Sequence, residues 1–140
     1  MNTQKSSSKI THIPVLLEEV IDLCSPKIGG RYLDCTFGGG GISEELLGFD
    51  NTNVLAIDRD KFVIRFAEKL KRKYPSRFNF YNEKFSNLEL VAKDNFDAII
   101  FDLGVSSFQI KNLDRGFSFN SKNNLDMSMG LNEITALQVV

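Results

Sequence analysis

Three features of this sequence could act together on a ligand: the glycine run Gly38-Gly39-Gly40-Gly41, the carboxylate of Asp58 and the carboxylate of Asp102. Glycine lacks a Cβ, so such a run permits positive φ and lets a ligand touch main chain. A flexible turn uses the same residues, and the run alone does not separate the two roles. The residues on its C-terminal side narrow the choice. A phosphate loop ends in Gly-Lys-Ser/Thr, whereas Ile42 and Ser43 come after Gly41. A dinucleotide fingerprint starting at Gly38 needs glycine where Ser43 stands. The loop therefore suits a nucleoside ligand that lacks a pyrophosphate.

Asp58 stands roughly 20 residues beyond the first glycine, where an acid can accept from both ribose hydroxyls. Its structural alternative is to cap the next helix or to pair with Arg59. A glycine loop, a ribose acid and no phosphate anchor point to S-adenosylmethionine, in which a sulfonium and an amino acid replace the pyrophosphate. Asp102 opens the acceptor-rich run Asp102-Leu103-Gly104-Val105-Ser106-Ser107. An exocyclic base amine is a poor nucleophile because its lone pair is conjugated with the ring. A carboxylate or carbonyl that accepts its N–H bonds favours a pyramidal nitrogen with the lone pair aimed at a methyl group. In-line positioning adds to this and can itself be worth roughly 7–11 kcal/mol. For Asp102 too, capping a helix is the structural alternative.

Other candidates carry less. His12 is the single histidine and stands beside a helix start, where a structural role is expected. Phe117 and Phe119 in Arg115-Gly116-Phe117-Ser118-Phe119 could stack on a base, although core packing is the expected role of each ring. Cys24 and Cys35 are too few for a disulfide framework and lack metal-site spacing, so reduced, partly buried thiols and no metal site are expected.

Strand ends and turns must hold these groups. Residues 1–11 read as a flexible arm. From Pro14 the run Val15 to Leu23 has helical spacing, with Ser25-Pro26 ending it. Arg31 to Thr36 reads as a strand entering the glycine loop, and Ile42 to Leu47 as a short helix. Asn53 to Ile57 is an apolar strand closing on Asp58. Asp60 can cap a helix running to about Lys73, whose basic end complements the helix dipole and which Pro75 stops. Arg77 to Tyr81 is a weaker strand, Ser86 to Ala92 a short helix, and Phe96 to Phe101 the strongest strand, ending at Asp102. Alternating strands and helices predict an α/β fold with a parallel sheet wound by right-handed crossovers. Beyond Gly104, residues 105–130 show no clear element, and Asn132 to Val140 looks like the opening of a helix.

Composition sets limits. The chain has 140 residues, enough for one domain with its own core. Apolar residues make up 42% and charged residues 25%, which excludes a disordered or collagen-like chain. Lys+Arg 17 against Asp+Glu 18 supplies no polybasic field, though RNA as a substrate stays open. No apolar run is long enough to cross a bilayer, and the polar start MNTQKSSSKIT has no secretory core, so a cytoplasmic protein without membrane partners is expected.

The runs His12-Ile13-Pro14-Val15-Leu16-Leu17, Asp34-Cys35-Thr36-Phe37-Gly38-Gly39-Gly40-Gly41, Ala56-Ile57-Asp58-Arg59-Asp60, Asp102-Leu103-Gly104-Val105-Ser106-Ser107 and Arg115-Gly116-Phe117-Ser118-Phe119 follow one another in a familiar order. Together they resemble the RsmH (MraW) family of S-adenosylmethionine-dependent methyltransferases over about residues 10–140. The resemblance implies methylation of the N4 amine of a cytosine in small-subunit ribosomal RNA. It implies a Rossmann-like class I fold with strand order 3-2-1-4. It implies cofactor contacts at Gly40, Gly41, Ile42, Asp58, Phe85, Asp102 and Gln109, with Phe85 near the adenine and Asp102 also facing the methyl-transfer centre as the catalytic residue. Since the target base must leave its stack, the implied partner is ribosomal RNA in an assembling small subunit, not DNA.

Departures accompany the match. The family usually has His at Ile42, Gly at Cys35 and Pro at Phe108, and its Leu-Asp-Met-Arg-Met appears as Leu125-Asp126-Met127-Ser128-Met129. Family members are also longer, with an inserted helical domain and further sheet strands. The expected organisation is an arm at 1–11, a Rossmann-like cofactor half at 12–104, and a loop-rich segment at 105–140 leading into a truncated insertion domain. On that reading the Phe96 to Phe101 strand becomes an open, association-prone edge. Two alternatives stand beside the enzyme: a non-catalytic cofactor-binding or interaction module, and an inactive remnant. A nicotinamide-dependent oxidoreductase is disfavoured by Ser43.

Overall fold

A computed structural model describes residues 15–131 and 134–140. The expected arm at 1–11, His12 and the helix-opening Pro14 lie outside the described residues. The helices are α1 (Leu17–Cys24), α2 (Gly41–Leu47), α3 (Ile64–Lys73), α4 (Leu88–Val91) and α5 (Ser107–Lys111), and the strands are β1 (Arg31–Asp34), β2 (Asn53–Ile57), β3 (Phe78–Tyr81) and β4 (Ala98–Ile100). All strand pairs are parallel, and the sheet order is β3-β2-β1-β4.

Period-two alternation splits the strands between two cores. Tyr32, Val54, Ala56, Phe78 and Ile100 face α1, α2 and α3, meeting Ile21, Leu46, Leu47, Ala67 and Leu70. Leu33, Cys35 and Ile57 form a smaller core on the other face, covered by Leu88, Val91 and Ala92 from the α4 region. The chain moves outward from β1 to β3 and then crosses back to β4 on the other side of β1. The direction of winding therefore reverses between β1 and β4, and the carboxyl ends of strands at such a switch point are where open parallel sheets take their ligands.

Element boundaries follow local chemistry. Leu16 and Ser25 flank α1 in the left-handed region, at φ 60° and 45°, and the Ser25 amide donates to Ile21 O and Asp22 O. Asp60 is buried and accepts from the Phe62 amide at 3.0 Å, capping a 3₁₀ turn at Lys61–Val63 that leads into α3. Lys71, Arg72 and Lys73 occupy the last turn of α3, as the dipole favours.

The structure departs from the expected elements in three places. β4 holds Ala98–Ile100 rather than the whole Phe96 to Phe101 run, because β1 pairs with it only until Asp34, after which the chain swings into the glycine loop. Ile99 and Phe101 are about half exposed on this edge. Residues 105–130, expected to lack elements, contain α5 and a 3₁₀ turn at Leu113–Arg115. Towards the end, among the described residues Ala136–Gln138 form a 3₁₀ turn, while Asn132, where a helix was expected to open, lies outside the described residues. Among the described residues, no helix is long and apolar enough to cross a membrane.

Candidate functional site

The loop after β1 runs across the carboxyl ends of its neighbours and is tied to both. Cys35 N donates to Ile100 O at 2.9 Å, on the β4 side. Phe37 N donates to Ile57 O at 3.1 Å, on the β2 side. Side chains complete the stitching. Asp58 Oδ2 accepts from Gly38 N at 2.7 Å, and Thr36 Oγ1 accepts from Asp102 N at 2.7 Å. The glycine loop, Asp58 and Asp102 thus share one rim, as their sequence positions anticipated.

Within the loop, Gly40 requires its glycine. Its φ is +82°, and an added Cβ would meet the Phe37 ring at 2.7 Å. Phe37 is itself buried against Phe78 and Phe80, at 5.7 and 5.2 Å between ring centroids, so it cannot yield cheaply. The left-handed backbone alone costs an L-residue roughly 1–2 kcal/mol. Gly40→Ala is expected to lower stability by about 2 kcal/mol. Urea unfolding checks this, and an unchanged midpoint would show that the loop relaxes around a methyl group.

Asp58 is half-buried, and its acceptor capacity suits a diol. A carboxylate offers about four lone-pair sites. Gly38 N takes one on Oδ2, and Asp60 N takes one on Oδ1 at 2.8 Å. One further site on each oxygen remains by this count, enough for two hydroxyls. Burial pushes the Asp58 carboxyl above its ordinary range, while the two amide donors pull it back. Its main chain is fixed by Asn82, whose Nδ2 donates to Asp58 O at 2.7 Å.

Asp102 is exposed, with its main chain held by Thr36. Gly104 follows at φ 144°, and Ser106 caps α5 by accepting from Gln109 N at 3.3 Å. Phe85 is 43% exposed and meets Phe101 edge-on at 5.5 Å, beyond the end of β3.

Two expected contact residues sit deeper. The Ile42 side chain is buried in the core with Leu46 and Leu47, so only its backbone, in the first turn of α2, belongs to the loop. Gln109 is also buried. Its Oε1 accepts from Ser106 N at 2.8 Å, and its Nε2 donates to Asp60 Oδ2 at 2.9 Å. Both ends of the amide are therefore engaged within the protein. Cys35 packs into the second core, and burial raises its thiol to about 11, leaving it inert. Phe108 packs its ring against Gly39 and Phe66, bringing α5 onto the glycine loop.

Asp34, Asp60 and Arg115 were not singled out from the sequence as site residues. Asp34 is buried at the end of β1, where Oδ2 accepts from Ser43 Oγ at 2.7 Å and Oδ1 from Thr36 N at 3.2 Å. It thereby links the strand to both ends of the glycine loop. Burial raises its carboxyl to about 6, against the lowering effect of those two donors. Asp60 pairs with the buried Arg115 at 2.6 Å, and Arg115 also donates to Ser128 O at 2.9 Å. The Arg115 guanidinium lies over Phe62 and Phe117, at 4.6 and 5.3 Å from their ring centroids. That pair fastens the segment beyond α5 to the turn after β2.

Solved structures share this fold. An rRNA methylase from Streptococcus thermophilus superposes with a TM-score of 0.56 at 20% identity, covering 67% of this chain and 58% of that one. The C-terminal domain of precorrin-6Y C5,15-methyltransferase from Rhodobacter capsulatus gives 0.57 at 18% identity, covering 76% and 57%. Strand order, glycine loop and strand-end acids define a Rossmann-like fold of the class these methyltransferases share. More narrowly, the chain belongs to the MraW methylase family, whose model matches residues 9–140. Among curated relatives, the ribosomal RNA small subunit methyltransferase H of Wolbachia sp. subsp. Drosophila simulans is 48% identical, over 86% of this chain and 42% of its own length. That of Rickettsia massiliae is 44% identical, over 93% and 43%. The chain thus spans less than half the length of these relatives.

Proposed function

We infer that these residues form the cofactor half of an S-adenosylmethionine-dependent methyltransferase acting on the N4 amine of a cytosine in small-subunit ribosomal RNA. The observation that carries the reading is the stitched rim, where Gly38 N meets Asp58 at 2.7 Å and Thr36 meets Asp102 N at 2.7 Å. It joins a bare-backbone loop to two strand-end carboxylates, which supports reading Asp58 as the diol acceptor and Asp102 as the group facing the substrate. The names of the curated relatives support ribosomal RNA as the acceptor.

On this reading Asp58 holds the ribose hydroxyls and the backbone of Gly40, Gly41 and Ile42 lies along the amino-acid end. Phe85 flanks the adenine. When bound, the cofactor supplies an electrophilic methyl group on a sulfonium. Asp102 and the carbonyls after it accept the N–H bonds of the incoming amine, which frees the nitrogen lone pair and then receives the proton it releases. Gln109, with its amide fully engaged, acts by holding α5 under this loop. The whole reaction belongs to the full length of the relatives, of which this chain supplies the strand-end half.

Calorimetry with S-adenosylhomocysteine tests the cofactor assignment. Each hydrogen bond to a charged acceptor is worth about 1.5–3 kcal/mol. Asp58→Ala is therefore expected to weaken binding roughly 30-fold, with the circular dichroism spectrum retained. Equal affinity in the two proteins would remove Asp58 from the site. Transfer of tritiated methyl to undermethylated small subunits tests the acceptor, with label in N4-methylcytidine as the expected product and label in any other nucleoside as the contrary one.

A further inference from the structure

The loop beyond α5 displays one aromatic ring in an unusual way. Phe119 is fully exposed, whereas the next most exposed ring among the described residues, Phe62, is 48% exposed. This is not a frayed segment. Phe119 occupies a turn closed by Ser121 N donating to Ser118 O at 2.9 Å, with Asn120 N donating to Ser118 Oγ at 3.2 Å. The Ser121 hydroxyl reaches back to Leu113 O, and Asn123 Nδ2 donates to Asp114 Oδ1 at 2.8 Å. At the base of the loop, Gly116 turns at φ +75°, where a Cβ would stand 2.8 Å from Asp126 N. Phe117 is turned inward under Arg115, so the two rings of this motif have divided their roles. Core packing was expected for both; Phe117 is half-buried beneath the Arg115 guanidinium, and Phe119 is exposed.

Position and surroundings indicate what such a ring meets. Arg115 is fixed to Asp60, two residues beyond Asp58 on the candidate rim. Phe119 follows four residues later, so its Cα lies within about 14 Å of the Arg115 Cα. Lys122 is the exposed cation of this loop, and the carboxylates of Asp114, held by Asn123, and Asp126 stand at its two ends. Ser118, Asn120, Ser121, Asn123 and Asn124 otherwise surround the ring in sequence, offering neutral hydrogen-bonding groups. A lone flat ring among donors, beside one cation, matches a base stacked on an aromatic face with its sugar and phosphate held by polar neighbours. An anchor for a protein partner would sit in an apolar surround.

We propose that Phe119 is a stacking platform for an unpaired RNA base next to the nucleotide presented to the rim. The inference rests on the RNA-methyltransferase reading and adds the residue that holds the substrate strand. An enzyme that acts on a base within RNA must keep it out of its stack, and a ring that stacks on a neighbouring base stabilises that state.

The chain contains no tryptophan, so Phe119→Trp installs a single fluorescent reporter at the platform. Titration with a short single-stranded RNA is expected to quench that fluorescence. Anisotropy of labelled RNA should show binding retained in Phe119→Trp and weakened about tenfold in both Phe119→Ala and Phe119→Leu, since leucine keeps the apolar surface but not the flat face. Affinity for S-adenosylhomocysteine should be the same in all four proteins. Unquenched tryptophan, undiminished RNA binding by Phe119→Ala, or full binding by Phe119→Leu each overturns the platform. So does self-association of the wild type that Phe119→Ala abolishes without changing RNA affinity, because the ring would then serve a protein contact. Absence of cofactor binding alongside normal quenching would instead count against the methyltransferase reading alone.

Discussion

Asp60→Ala is expected to destabilise the chain by about 3–5 kcal/mol, because it leaves the buried Arg115 without its counter-charge. Arg115 is 8% exposed and Asp60 2%, and their atoms meet at 2.6 Å. The pair is not by itself a large source of stability, since desolvating two ions offsets much of their attraction. Removing one partner is a different matter. The guanidinium would keep Ser128 O and the faces of Phe62 and Phe117, which solvate it far less well than a carboxylate. Asp60 also accepts from Phe62 N and from Gln109 Nε2, so two more donors lose their acceptor. Both the entry to α3 and the seat of α5 depend on this one side chain. In thermal unfolding, the loss corresponds to a fall in Tm of roughly 10 °C or more. Adding Arg115→Met to Asp60→Ala should recover a substantial part of it, since the orphaned charge is gone. A double variant no more stable than Asp60→Ala would locate the cost in the cap and in Gln109 rather than in the ion pair.

The same network shows where reading a sequence succeeds and stops. Asn53 to Ile57 could be read to the residue, because a continuous apolar run bounded by turn residues fits little else than a buried strand. The parallel sheet followed from alternation, and the gathering of the glycine loop, Asp58 and Asp102 from the general placement of ligands at strand ends, whereas the order 3-2-1-4 came from the family resemblance. α5 could not be read this way. It has five residues, too few for periodicity, and it stands through the Ser106–Gln109 capping box and the contact of Phe108 with Gly39. Gln109 and Arg115 lie 49 and 55 residues from Asp60, and nothing local to either announces a shared partner. Phe119 escapes for the opposite reason. Its type suggests burial, and only the turn at Ser118 to Ser121 turns it outward. Asp34 could be seen as part of a motif, but not as a carboxylate enclosed in the fold, since burial comes from the neighbours.

That enclosure gives the chain a pH dependence. Asp34 has an ordinary value of 3.8 and is raised to about 6 in the fold, chiefly by desolvation, with smaller upward contributions from the charges of Asp58 and Asp102. A folded-state value above the unfolded one means that the native protein holds this proton more tightly. Its contribution is therefore fully present below about pH 4 and is lost as pH rises through about 6. A shift of this size corresponds to roughly 3 kcal/mol across that window. Asp58, also raised by burial, acts in the same direction. Asp97 is lowered by its contacts with Lys27 and Arg31, and Glu83 by Lys84 and Asn87, so these two groups act in the opposite sense. Since those groups are common to both proteins, Asp34→Asn isolates the buried site. The expected result is that the wild type gains less stability, or loses more, than Asp34→Asn between pH 4 and pH 7, by about 3 kcal/mol in urea unfolding. Parallel profiles would mean that Ser43 Oγ and Thr36 N solvate the carboxylate as well as water does. If the profiles diverge as expected, Asp34 is ionised near neutrality at a cost in stability, and places a fixed negative charge under the loop expected to receive a sulfonium. Under the proposed function, a buried charge beneath a cationic ligand is the arrangement that electrostatic preorganisation requires, with the stability of the fold offsetting the cost before the ligand arrives.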